Sequence, residues 1–234
     1  MAGAKTGING QINNNIVTDG LVFYADAAYK RSYPRSGTTW FDIISGNNGT
    51  LINGPTFSSD GQGSIVFDGI NNYIQGSSLT NYDDGDFSVS VWLYKESGVL
   101  YGRVISNSTA SSRKGFDIYT INNNVAFTRR TPTKSAATGN VSISYNTWHN
   151  VVGTYNDSTG DIKLYLDGVL KITASATSNN NQYSSIELAM GTTATVPYSY
   201  FLNGKLSNAL IYNRALSAGD VLQNYQAQKE RFGL

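Results

Sequence analysis

The chain has 234 residues, of which 40% are apolar and only 14% charged. Globular domains average about 25% charged residues, so this surface is polar without being ionic. The 17 basic and 16 acidic residues leave a formal charge of +1. That excludes the basic excess of a nucleic-acid protein and the polybasic patch of a membrane-surface binder.

No apolar run reaches the roughly 18 residues of a spanning helix. Cysteine is absent, so the fold has no disulfide and no thiolate ligand or nucleophile. A single His (His149) and three Glu (Glu96, Glu187, Glu230) leave little for a zinc site or a catalytic triad. The opening MAGAKTGINGQINNN lacks the apolar core of a secretory signal, and the initial Met is expected to mark a complete chain. Residues 1–18 offer little for a core and are expected to form an arm held by a partner.

In chain order, period-2 patterning dominates. Strands are predicted at 21–26, at 64–68 with an extension at 73–75, and at 86–94, where Phe87, Val89, Val91 and Leu93 share one face. Short strands follow at 103–106, 116–119, 125–128 and 148–155. At 162–172 two alternating runs flank Asp167-Gly168, the signature of a hairpin with a two-residue primed turn. Late strands are predicted at 186–190 and 204–212. Polar stretches at 7–15, 107–112, 131–140 and 177–185 read as exposed loops. Ser217 followed by Asp220 gives an N-cap for one terminal helix, with Val221, Leu222 and Tyr225 facing the strands. The 25 Asn and 24 Gly supply turns between many short strands. The expected fold is all-β, a two-sheet antiparallel sandwich or jelly roll with one short C-terminal helix.

The segments IVFDGINNYI (65–74), FSVSVWLY (87–94), WHNVVGTY (148–155), IKLYLDGVLKI (162–172) and GKLSNALIYNRALSAGDV (204–221) resemble, in this order, the laminin-G-like, concanavalin A-like lectin/glucanase jelly roll. The resemblance spans roughly residues 20–230 and implies a curved sandwich with functions in carbohydrate binding, adhesion or, in some branches, glycoside hydrolysis. TTWFDIISGNNGTLINGPTF (38–57) and the C-terminal 212–234 narrow it to single-domain laminin-G-like structural proteins of tailed bacteriophages. An extra residue, Ile43 or Ile44, interrupts the usual form of the first segment.

This resemblance implies a non-enzymatic virion structural protein, a capsid decoration protein or tail-associated adhesin, assembled in the host cytoplasm. Residues 1–19 would be an arm contacting other virion proteins, and 20–234 the sandwich. The implied partners are capsid or tail subunits, further copies of the chain and cell-surface glycans, with no nucleic acid and no membrane insertion. A free bacterial carbohydrate-binding lectin module is the alternative.

Hydrolysis needs two carboxylates about 5–10 Å apart, and hydrolytic relatives set Glu, Asp and Glu at alternating positions on one strand, a segment missing here. Asp83, Asp84 and Asp86 read either as a solvated turn or as a calcium site; the turn is favoured and no cofactor or metal is expected. Asp68 is expected to cap a turn, and neither it nor Asp42, which follows Trp40-Phe41, is favoured as a calcium ligand. His149 is expected on the solvent side of its strand, and Trp148 resembles the family's core tryptophan. Trp92 is expected to pack on a layer behind its sheet. Glycan contact would fall to loop aromatics, namely Tyr33, Tyr101, Tyr183, Tyr198 and Tyr200, and to Arg129-Arg130. The chosen candidates are Tyr101, Arg129, Tyr198 and Tyr200, as sugar contacts or as subunit contacts, since Tyr and Arg are enriched at interfaces too.

Overall fold

Alternating side chains of the strand centred on Val91 point to opposite faces: Phe87, Val89, Val91 and Leu93 on one, and Trp92 and Tyr94 beside the buried Ser88 and Ser90 on the other, so its sheet must be covered twice. The computed structural model of the protein describes residues 15–78, 85–108, 115–131, 133–178, 187–194 and 199–234. Among them the strands are β1 (Leu21–Asp26), β2 (Thr39–Trp40), β3 (Gly49–Ile52), β4 (Thr56–Ser58), β5 (Ser64–Asp68), β6 (Tyr73–Ser78), β7 (Phe87–Lys95), β8 (Tyr101–Ser106), β9 (Gly115–Ile121), β10 (Asn124–Arg130), β11 (Lys134–Ala137), β12 (Val141–Ser142), β13 (Trp148–Tyr155), β14 (Asp161–Leu166), β15 (Val169–Ser175), β16 (Thr177–Ser178), β17 (Glu187–Met190) and β18 (Asn203–Tyr212). One helix, α1 (Ala218–Gln228), is followed by a 3-10 turn at Lys229–Phe232. No helix among the described residues is long and apolar enough to cross a membrane.

Two antiparallel sheets form the sandwich. The first has eight strands in the order β15-β14-β13-β7-β18-β5-β4, with β1 on the far half of β18. The second has ten, ordered β16-β11-β10-β9-β8-β17-β6-β3-β2, with β12 beside β10. The main core lies between them: Phe87, Val89, Val91 and Leu93 from the first sheet meet Val104, Phe116, Ile118, Val125 and Phe127 from the second. The 162–172 hairpin forms as predicted. Asp167 and Gly168 both have positive φ, 53° and 77°, which is what a primed turn requires.

A second apolar cluster lies on the outer face of the first sheet. Tyr24, Val152, Tyr165, Leu210 and Tyr212 pack there against Leu216 and Val221, with Ile16 and Val17. Trp92 is fully buried on this side, stacked 3.9 Å from Phe232 and 5.8 Å from Tyr225. The layer expected behind it is the helix and tail. Ser217 caps α1 in a capping box with Asp220. Arg231 locks the tail down with Nη1 and Nη2 donating to the two oxygens of buried Asp26 at 2.8 and 3.0 Å.

Several expectations need correction. Ile16 and Val17 do enter a core, the cluster between the first sheet and the helix; Val17 N–H donates to Asn224 Oδ1 and Tyr212 Oη–H to Val17 O. Residues 1–14 lie outside the described residues. The 131–140 stretch is not simply an exposed loop, because β11 forms within it and Ala136 and Thr138 are buried. Asn107 and Ser108 are buried as well. Leu222 points outward, and Val221 takes the packing role. Trp148 lies on the outer face under Phe232, at 5.0 Å, and not between the sheets. His149, paired in register with Leu93, turns to the inner side at the end of the sandwich. There its Nδ1 bonds Asp167 Oδ2 at 2.8 Å and its Nε2 accepts from Ser144 N–H.

Phe232→Ala removes the cover from Trp92. The expected cost is about 2 kcal/mol, below the range for a fully buried Phe because Phe232 is itself half-buried. Urea unfolding followed by Trp fluorescence checks this; an unchanged midpoint and emission maximum would show that the tail is not part of the cooperative fold.

The Arg214 guanidinium beside Asp220 pulls its carboxyl from the ordinary 3.8 down to about 2, assisted by Ser217 donors. A depressed folded-state value means that this stability is present above about pH 4 and is lost as pH falls through about 2. Asp220→Asn should therefore destabilise the protein at pH 7 by about 1 kcal/mol, a typical capping contribution. The gap between variant and wild type should close near pH 2. A gap of equal size at both pH values would contradict the assignment.

Candidate functional site

The outer face of the second sheet carries a cleft of about 430 Å³ lined by Tyr101, Arg103, Tyr119, Thr128, Arg130 and Tyr200 among others. It is built on the meander β8-β9-β10. Phe116 and Ile118 of β9 face the core, so Asp117 and Tyr119 face outward. The register places Arg103 opposite Tyr119, and Asp117 between Ser106 and Thr128.

One wall comes from outside the meander. The backbone N–H of Arg103 donates to Tyr200 O at 2.8 Å, which draws the 199–202 segment against β8. Gly102 permits this approach: a Cβ there would stand 3.0 Å from Thr120 Oγ1 and 3.4 Å from the Leu202 backbone. Tyr200 itself adopts a left-handed φ of 58°, uncommon for a non-glycine residue. Its ring meets Tyr101 at 5.6 Å with a 57° tilt, and the two remain 46% and 43% exposed. Two large aromatic faces are therefore presented side by side to solvent.

The floor is polar. Asp117, whose side chain is 2% exposed, accepts hydrogen bonds from the hydroxyls of Ser106, Ser108 and Thr128. Arg103 Nη1 lies 3.2 Å from its Oδ1 and Arg130 Nη1 lies 3.3 Å from its Oδ2. A carboxylate taken out of water requires such partners. The Arg103 guanidinium also lies over Tyr119, 5.0 Å from the ring centre, and 6.0 Å from that of Tyr200. Burial raises the pKa of the Tyr119 phenol above its ordinary value, so it is a neutral donor or acceptor. The cleft thus offers aromatic faces, hydroxyls and guanidinium donors.

Of the sequence candidates, Tyr101 and Tyr200 come together here. Arg129 does not join them. It is 1% exposed, and its guanidinium sits 4.8 Å from the Phe87 ring. Arg129 follows Val125 and Phe127 at even spacing, so the pleat turns it inward and its neighbour Arg130 outward. Tyr198 and Tyr183 lie outside the described residues. Tyr33 is a core residue, its ring 6.1 Å from Phe57 and its hydroxyl donating to Gly37 O. Arg130, named beside Arg129 as a sugar contact, does line the cleft. Arg103, Asp117 and Tyr119 have no local signal beyond strand alternation, which places them on the outer face.

The remaining carboxylates are occupied with backbone. Asp42 accepts from the N–H groups of Tyr24, Ile44, Ser45 and Asn47. Asp68 accepts from Ile70, Asn71 and Asn72; burial opposes its ionisation, but these bonds outweigh it and hold the carboxyl below its usual value. Both cap turns, which for Asp68 is the expected role. Asp86 accepts from Asp157 N–H, while Asp83 and Asp84 lie outside the described residues. Among the described residues no three His, Cys, Asp or Glu side chains gather as a metal site. Another cleft, about 380 Å³, lies along the tail, where Asp26 and Arg231 neutralise each other.

The sequence matches no curated protein. Solved structures with the same fold include the binding domain of botulinum neurotoxin DC in complex with SialylT, with a TM-score of 0.65, 16% identity, and coverage of 90% of this chain and 52% of that one. The same domain in complex with rat synaptotagmin II gives 0.66 and 16%, over 93% and 52% of the two chains. Botulinum neurotoxin type C, which depends on two ganglioside molecules to enter cells, gives 0.65 and 17%, over 89% and 51%. The chain spans about half the length of these structures, and at such identities the likeness is one of fold. Residues 67–222, two thirds of the chain, match the family model for the concanavalin A-like lectin/glucanases superfamily, and the chain belongs to that family.

Proposed function

We propose that the protein is a non-catalytic glycan-binding module whose sugar site is the cleft on the outer face of the second sheet. The observation that carries this reading is the exposed Tyr101–Tyr200 pair set beside a polar floor of hydroxyl and guanidinium groups. Sugars present C–H faces that stack on aromatic rings and hydroxyls that need directed hydrogen-bond partners. The botulinum neurotoxin domains of the same fold, described with SialylT and with gangliosides, support a binding role. Non-catalysis is supported by the cleft's chemistry. No carboxylate lines it among the described residues, and Asp117 beneath is held by five donors, an arrangement unlike an acid and base flanking a scissile bond.

The second reading, an arm-anchored component of a tailed-phage particle, complements the first. It rests on the sequence resemblance and gains support from geometry. Asn15 O accepts from Gln223 Nε2, and Val17 is bonded to Asn224, so the chain leaves residue 15 on the α1 side. The cleft opens on the opposite face of the sandwich. A module anchored through residues 1–14 would present the cleft outward. Many copies on one particle would convert weak single-site binding into useful avidity.

A glycan array, followed by NMR titration of the best ligand, tests the site. Tyr200→Ala and Tyr101→Ala are each expected to weaken binding about tenfold, the loss of a stacking face worth roughly 1 kcal/mol or more. Thermal stability should change little, since neither ring belongs to a core and both stay over two fifths exposed. Full affinity in both variants would exclude this cleft as the sugar site.

A further inference from the structure

The cleft holds more positive charge than its floor cancels. Arg103 and Arg130 approach the same carboxylate from opposite oxygens, each through Nη1. One carboxylate balances one guanidinium, and among the described residues no Asp or Glu lines the cleft to balance the second. In a chain with so few charged residues and a net charge of +1, such convergence is a local feature and not a property of the surface as a whole.

The guanidinium fork matches a planar carboxylate better than it matches a single hydroxyl, and a charged pair is roughly twice as strong as a neutral hydrogen bond. Among the described residues, the contacts to Asp117 and Ser108 occupy only Nη1 of Arg130, and its side chain remains 24% exposed at the cleft wall. The aromatic pair stands on the other side of Arg103, whose guanidinium lies 6.0 Å from the Tyr200 ring centre. The spacing fits a ligand with a ring at one end and an anionic group beside it.

We propose that the cleft selects saccharides bearing a carboxylate, with the acid group between Arg103 and Arg130 and the sugar ring against Tyr101 and Tyr200. This inference rests on the glycan-binding reading and specifies its ligand class.

The test uses the full chain with two matched pairs: sialyllactose against lactose, and tri-galacturonic acid against its methyl ester. In calorimetric or NMR titration, at least one acid is expected to bind about tenfold tighter than its neutral counterpart. Arg130→Gln should weaken the acid about fivefold or more beyond any loss for its neutral counterpart, so that the preference disappears. Should Arg130→Gln disturb the fold, salt provides a second reading on the unaltered protein. Raising NaCl from about 50 to about 500 mM should weaken the acid about threefold or more and leave the neutral ligand unaffected. Equal binding of acid and neutral forms, without salt dependence, overturns the carboxylate preference and leaves the glycan reading standing. Absence of binding by all four probes, together with an empty glycan array, overturns both.

Discussion

A sheet with large apolar side chains on both faces must be covered twice, and most of this molecule follows from that constraint. The strands β7, β13 and β18 bury their inner faces against the second sheet. Their outer faces hold Trp92, Val152, Leu210 and Tyr212, which would be left in water by the sandwich alone. Helix α1 and the 3-10 turn after it supply the second cover. The buried Asp26–Arg231 pair fixes where that cover ends: it is bidentate, and Tyr24 Oη–H and Ala28 N–H also donate to Asp26. Bringing two charges out of water costs several kcal/mol per ion before they attract each other. The pair therefore contributes a defined position for the tail more than raw stability.

The fold was legible where a segment was long enough to show its period. The nine residues of β7 and the Asp167-Gly168 hairpin carried their own evidence, as did the Ser217–Asp220 cap. Strands of two to four residues, such as β2, β3, β11 and β12, did not, because so few positions cannot establish alternation. They are defined by neighbours distant in sequence: Lys134–Ala137 is a strand because β10 offers it hydrogen bonds. The tail's role was similarly hidden, since Phe232 acquires its meaning only from Trp92 and Trp148.

The site was half legible, for a related reason. Tyr101 and Tyr200 could be picked as aromatics near turns, but nothing local states that residues a hundred positions apart share a cleft. The contact depends on a backbone bond from Arg103 to Tyr200 and on the space left by Gly102. Arg129 and Arg130 illustrate the opposite case. Adjacent in sequence and identical in chemistry, they are separated by one step of the pleat into core and surface. The information needed to distinguish them was present in Val125 and Phe127.

The bonds that hold residues 15–17 also determine how the molecule carries load. Asn15, Val17, Gln223, Asn224 and Tyr212 form a polar seam between the start of the described chain, α1 and the end of β18. A force applied through the preceding residues reaches this seam first, together with the buried side chains of Ile16 and Val17. From there it passes along β18, whose partner β7 lies at the centre of the first sheet. The meander β8-β9-β10 belongs to the other sheet and joins this path only through the packed core. Tension on the chain's beginning would thus be borne by one layer while the cleft in the other kept its shape.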